Sequence, residues 1–312
     1  MSGENSKKSG EIGEKIASEL LKRIGWQNQI CNISIDCNDS NHKNSSGNPK
    51  DSHGDDIVYI YDNPFHDETT TISHISVKHT SNGYPKSETA IRTSFNKHIK
   101  ELEQIIECAR YNGEINSLIK SFEAKTNLNH IGILIWLHND RNRINQNILP
   151  IVSNCRLNLD GNTTYYIIDS GRANFLLKIV NDLTQKSKAN GGQYQFYYPK
   201  IGTSILVEAN RKGNFLPVEL IASDIITAIV TTGDKNEFYL YSRESFDELS
   251  YKNMVAYALN FSAGLVKDIH IGFPDYNPTN DADIAKKVKL NFRDRDENII
   301  PFSYNESILD LF

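Results

Sequence analysis

A chain of 312 residues with 38% hydrophobic and 23% charged side chains has the make-up of a soluble globular protein, long enough for one large domain or two of ordinary size. It contains no apolar run of about 18 residues, which excludes a membrane-spanning helix, and its opening MSGENSKKSGEIGEK has no apolar segment behind the lysines, so a signal peptide is not expected and the cytoplasm is. The net charge of −5 neither calls for nor excludes a nucleic-acid ligand, because phosphate contacts depend on local basic residues within a Debye length of about 8 Å.

Residues 10–24 form the first expected helix: Ile12, Ile16, Leu20 and Ile24 recur every four positions, Ala17 and Leu21 widen the stripe, and Gly25 ends it. QICNISID (29–36) alternates loosely as a strand. Cys37 to Gly54 is polar, with one proline and no apolar anchor, and reads as a long loop. HGDDIVYIYDN then enters a strand at about 56–61, and ISHISVKHT gives another at about 72–79, with Ile75 and Val77 on one face and His74, Ser76 and Lys78 on the other. Ser87 is a good N-cap for a long helix whose buried stripe is Ile91, Phe95, Ile99, Leu102, Ile105, Ile106 and Ala109. Asn112–Gly113 breaks it, a helical piece continues to about Lys125, and HIGILIWLH (130–138) is a strand buried on both faces.

Beyond Asn139 the pattern changes. A strand is expected at 164–168 and a helix from about Arg172 to Gln185, capped by Ser170, followed by strand-like runs YQFYY, SILVEA, LPVELI, IITAIVTT and EFYLYS. A helix within SRESFDELSYKNMVAYALNFSAG and a strand DIHIGF close the series. The division expected is 1–140 and 141–312, the second part a mixed α/β unit for partner binding or regulation. Cys31, Cys37, Cys108 and Cys155 are scattered, with no CxxC pair and no Cys/His cluster in sequence, and read as buried thiols rather than zinc ligands.

The order helix, strand, strand, strand, helix, strand, with Asp56 followed by Lys78, resembles the αβββαβ core of the PD-(D/E)XK, restriction-endonuclease-like nucleases over about 130 residues. The resemblance implies an α/β fold and a metal-dependent endonuclease hydrolysing DNA phosphodiester bonds, with Mg²⁺ (or Mn²⁺) as cofactor and bacterial anti-phage defence or restriction as its setting. Such chemistry needs a hard cation on oxygen ligands and a lysine aimed at the same phosphate. Asp56 is the expected strand ligand, with Asp55 as its possible substitute and a turn cap as the plain structural alternative. Lys78 is the expected lysine.

Ser76 departs from the family pattern, which wants an acid there. One branch of restriction endonucleases also reads SVK and takes its glutamate from the following helix. Glu88 is the expected stand-in: it lies about 60° from Ile91 on a helical wheel, whereas Glu101, Glu103 and Glu107 are expected to point away. That branch has its glutamate further on, where this chain has Arg92. Glu14 fits the first-helix glutamate of many members, and His53, His74 and His79 read as hydrogen-bonding or phosphate-contacting residues. The expected metal ligands are therefore Asp56 and Glu88. The expected partners are DNA and either a homo-oligomer or a second protein subunit, with no membrane. The alternative is a degenerate nuclease fold that binds DNA or a partner protein without cutting.

Overall fold

Two β-sheets organise the chain, one in each of two units, Met1–Asn174 and Phe175–Phe312. The computed structural model describes residues 2–44, 46–157, 159, 161–189, 191–200, 211–262 and 264–305.

The first unit runs α1 (Ser2–Arg23), β1 (Ile30–Asp36), β2 (Ser52–Asp62), β3 (Thr69–Thr80), α2 (Glu88–Ala109), α3 (Gly113–Ser121), β4 (Asn127–His138), α4 (Leu149–Val152) and β5 (Tyr165–Asp169). Its strands lie in the order β1-β2-β3-β4-β5. The first three are antiparallel and β3, β4 and β5 run parallel. This is the expected restriction-endonuclease-like αβββαβ core with one strand added. Because β5 pairs with β4 from Gly132–Tyr165 to Trp136–Asp169, the strand expected to open the second part completes the first sheet. The first compact unit accordingly extends to Asn174.

Local chemistry explains each element near the site. The Ser87 hydroxyl caps α2 by accepting from the Ala90 N–H at 3.2 Å, and all seven stripe residues of that helix are buried. The stripe of α1 is narrower than its four-residue repeat suggests. Ala17, Leu20, Leu21 and Ile24 are buried, whereas Ile12 and Ile16 stay 40% and 42% exposed. Gly13 sets the approach of α1 to β3: a Cβ there would collide with the Cβ of His79, so the missing side chain lets the helix lie against the strand.

The second unit begins within α5 (Ser170–Ala189) and continues β6 (Gln193–Tyr197), β7 (Lys212–Gly213), α6 (Val218–Ile221), β8 (Ile225–Thr232), β9 (Lys235–Ser242), α7 (Glu248–Ser262), β10 (Asp268–Phe273), α8 (Pro278–Lys289) and β11 (Asn298–Ser303). Its sheet order is β11-β10-β9-β8-β6-β7, with β9, β10 and β11 parallel and the remaining pairs antiparallel. Phe238, Leu240, Tyr251, Val255, Ile271 and Phe273 belong to its core. LPVELI is a helical turn rather than a strand, because the Pro217 carbonyl accepts from the Leu220 and Ile221 N–H groups. SILVEA lies outside the described residues. The cap of α5 is Asp169, whose carboxylate accepts from Arg172 N–H at 2.7 Å, while the Ser170 hydroxyl accepts from His138 N–H. No helix among the described residues is long and apolar enough to cross a membrane.

Candidate active site

Neighbouring aspartates on β2 face opposite sides of the sheet, as the period of two requires. Asp56 turns toward β3: its Oδ2 accepts from the Val77 backbone N–H at 2.7 Å, and the Ser76 hydroxyl donates to the same carboxylate. Burial pushes the Asp56 pKa up; Val77 N–H, Lys78 and Ser76 pull against it, and the Glu101 charge adds to the rise. Ser76, only 2% exposed, thus brings no charge of its own but helps hold the Asp56 carboxylate. Asp55 lies on the other face, 1% exposed, with Oδ2 2.6 Å from His74 Nδ1. His74 Nε2 is in turn 2.9 Å from His130 Nδ1, and the two rings stack at 5.2 Å.

The acid that α2 brings to this place is Glu101. Its Oε2 lies 3.3 Å from Lys78 Nζ, and its charge acts on Asp56. Glu88 is not brought there. As the first residue of α2 it stands in the exposed turn behind Ser87, its side chain 70% exposed and paired with Arg92 at 3.6 Å. An acid at that position is satisfied by solvent and by the positive end of the helix dipole. Glu103 is buried and accepts from Gly161 N–H at 3.4 Å, and Glu107 pairs with His42. His98, one α2 turn before Glu101, packs edge-on against Trp136 at 5.2 Å. Burial first, and then Lys78, hold its imidazole down to about 4, so it stands neutral beside the lysine.

Glu14 reaches the site through the close docking of α1. Burial, then the Asp56 charge and then Glu11, raise its pKa. Ser9 Oγ lies 2.9 Å from His79 Nδ1, tying α1 to the end of β3. An open cleft of about 450 Å³ beside the strands is lined by Lys8, Glu11, Glu14, Lys15 and Asp56, among others.

Asp56, Glu101 and Glu14 offer hard carboxylate oxygens, which suit Mg²⁺ or Mn²⁺. Asp56 is pushed up by the charge of Glu101 and Glu14 by that of Asp56, a crowding that a divalent cation would relieve. The donor set fits the cofactor. Sequence reasoning missed Glu101 and also a second gathering, Cys37, His42, His53 and Cys108, whose members come from β1–β2 and the far end of α2.

A family model described as the GAPS4 protein PD-(D/E)XK nuclease domain matches residues 1–172. No curated protein and no solved structure matches the chain.

Proposed function

The chain belongs to the family of GAPS4 PD-(D/E)XK nuclease domains, and from that premise we propose that it is a metal-dependent endonuclease that hydrolyses DNA phosphodiester bonds in bacterial anti-phage defence or restriction. The observation that carries this reading is the Lys78–Glu101 pair at 3.3 Å, set beside a half-buried Asp56. Asp56 and Glu101 would hold Mg²⁺ or Mn²⁺, with Glu14 close enough to Asp56 to assist. When bound, the cation supplies Lewis-acid stabilisation of phosphate charge and a more acidic attacking water.

The side chains have separable tasks. Val77 N–H and Ser76 Oγ fix the Asp56 carboxylate. Lys78 carries a positive charge, shared with Glu101, that a phosphate oxygen can take over as charge develops. Neutral His98 adds no second positive charge beside it. The second unit, with its own sheet and core, supports binding to a second copy or another subunit that controls cleavage.

The test is incubation of the purified protein with plasmid DNA and Mg²⁺ or Mn²⁺, beside Asp56→Asn, Lys78→Ala, Glu101→Gln and Glu88→Gln. Cleavage by wild type and Glu88→Gln, and its loss in the other three, is expected. Equal cleavage by all five proteins would falsify the assignment. DNA binding without cleavage, unchanged when the partner subunit is added, would favour the degenerate binding module.

A further inference from the structure

Cys37, His42, His53 and Cys108 take no part in the nuclease site, yet their donor atoms all lie within 4.8 Å of one another. Cys37 follows β1, His42 sits in the polar loop, His53 is the second residue of β2, and Cys108 lies in the last turn of α2. The contacts are specific. His42 Nδ1 is 3.2 Å from His53 Nε2, 3.5 Å from Cys37 Sγ and 3.5 Å from Cys108 Sγ, and Cys108 Sγ is 3.6 Å from His53 Nε2.

Each thiol has an acceptor of its own, Cys37 the Asp39 carbonyl at 3.4 Å and Cys108 the Asn38 Oδ1 at 3.2 Å, but those bonds do not explain why both sulfurs also crowd His42 Nδ1. His42 Nε2 lies 3.1 Å from the Glu107 carboxylate, so its proton belongs on Nε2 and Nδ1 presents a lone pair inward. That single lone pair faces three neighbours, and one lone pair serves one strong hydrogen bond. A cation at the centre serves all four atoms together. With Zn–S of about 2.3 Å and Zn–N of about 2.05 Å, the edges of a tetrahedron are about 3.3 Å between nitrogens and about 3.6 Å between nitrogen and sulfur. The observed 3.2 Å and 3.5–3.6 Å match those edges. The Glu107 contact is the carboxylate partner that metal-binding histidines habitually have on their second nitrogen.

We propose that Cys37, His42, His53 and Cys108 form a structural Cys₂His₂ zinc site. Two thiolates and two imidazoles select zinc over Mg²⁺ or Ca²⁺, which take oxygen. His42, His53 and Cys108 are buried, and four protein ligands leave no open position, so the ion is a fastener rather than a reagent. What it fastens is the β1–β2 loop, NDSNHKNSSGNPKD after Cys37, which has no apolar side chain larger than proline to anchor it. The site pins that loop to α2 about two turns beyond Glu101 and to β2 three residues before Asp56. The spacing Cys-x₄-His-x₁₀-His has no paired cysteines, and its fourth ligand is far along the chain, so the sequence shows no zinc motif.

Metal analysis of the full chain, purified under reducing conditions without a metal-binding tag, is expected to find about one zinc per chain. Replacement by cobalt is expected to give the thiolate charge-transfer band and intense visible bands of tetrahedral coordination. Cys37→Ser with Cys108→Ser should lose the metal, while Cys31→Ser with Cys155→Ser should keep it. Because loss of a ligand can unfold the loop, His42→Cys is the second probe: it keeps four ligands and should strengthen the charge-transfer band of the cobalt form. Three outcomes overturn the proposal: a reduced wild type that binds neither zinc nor cobalt, a Cys37–Cys108 disulfide whose reduction restores no metal uptake, or full zinc content in the Cys37/Cys108 double variant. None of these readouts depends on DNA cleavage.

Discussion

Lys78 and Glu101 are 30% and 35% exposed, and an ion pair so open to solvent adds only about 0–1 kcal/mol to stability. On the proposed reading their closeness serves the reaction rather than stability. Glu101→Gln is expected to lower the plasmid-cleavage rate by about 10²-fold or more, with a stability change within about 1 kcal/mol. Glu88→Gln, which breaks only a surface pair with Arg92, should change neither; cleavage rates and thermal melting of the two variants decide it. The difference between these glutamates also marks what the sequence can express. The nearness of Asp56 and Lys78 was legible because two adjoining strands place their alternate residues by a purely local rule. A helical wheel sets Glu88 and Glu101 about 140° apart, so reading the site-facing edge from the apolar stripe picks the wrong side, and the wheel says nothing about height. Glu101 lies thirteen positions further on, about 20 Å along the axis at 1.5 Å per residue, so only one of them can meet the end of β3. Which one depends on how α2 docks on the sheet, and no residue in α2 alone encodes that.

Two close fits hold the elements of the first unit in place. At the α1–β3 contact, Gly13→Ala would gain about 1 kcal/mol of helix propensity but would force a Cβ into His79, an overpacking that costs about 1–3 kcal/mol. The expected net result is a less stable protein in urea melts and slower cleavage, because Glu14 moves away from Asp56 with the helix. A variant as stable and active as wild type would show that α1 shifts without cost. Between β2, β3 and β4, buried Asp55 and His74 and half-buried His130 form a chain. Burial first, then the charges of His74 and Arg110, hold His130 down to about 3. The sign follows from that depression. As pH falls from about 6.5 toward 3 the unfolded chain takes a proton that the folded chain refuses, so this residue removes stability across that window and has no effect above it. Burial raises Asp55, which acts in the opposite sense, so the informative quantity is a difference. The stability of wild type relative to His130→Gln should fall between pH 6.5 and 4, measured by urea titration at each pH, and the His130 ring should show no NMR titration above pH 4. A rise in that relative stability, or a His130 ring titrating near 6, would mean that the imidazole is protonated in the fold. Elements with a strong period were legible here, including β3, β4 and the whole stripe of α2. The α1 stripe was only half so, since Ile12 and Ile16 are exposed and Ile12 lines the cleft, where apolar spacing alone cannot distinguish a core from a groove wall.

Each unit of the molecule has its own sheet, and the second has a core of aromatic and branched side chains drawn from β8, β9, α7, β10 and α8. Little of that second sheet was legible in order, because strands joined in the sequence β11-β10-β9-β8-β6-β7 mix neighbours near and far along the chain, and α8, with three lysines in its last turn, shows only a thin apolar stripe. The place of β5 in the first sheet was not legible for a related reason: the strand is short, and its edge position is set by pairing with β4 rather than by its own residues. Two cores of this kind are expected to unfold in two steps, with no single midpoint describing the chain. The proposed zinc gives those steps a label. Its four ligands all lie in the first unit, and an ion that binds only the folded form stabilises it by its binding free energy, so removing it should affect one transition alone. In calorimetry with a strong chelator, the transition that loses the Trp26 and Trp136 fluorescence change should move down in temperature. The other should stay, since both tryptophans belong to the first unit. Excess Mg²⁺ should not reverse the shift, because the thiolate and imidazole donors do not suit it, whereas restored zinc should. A chelator shift in both transitions, or in neither, would place the metal's effect outside the β1–β2 loop.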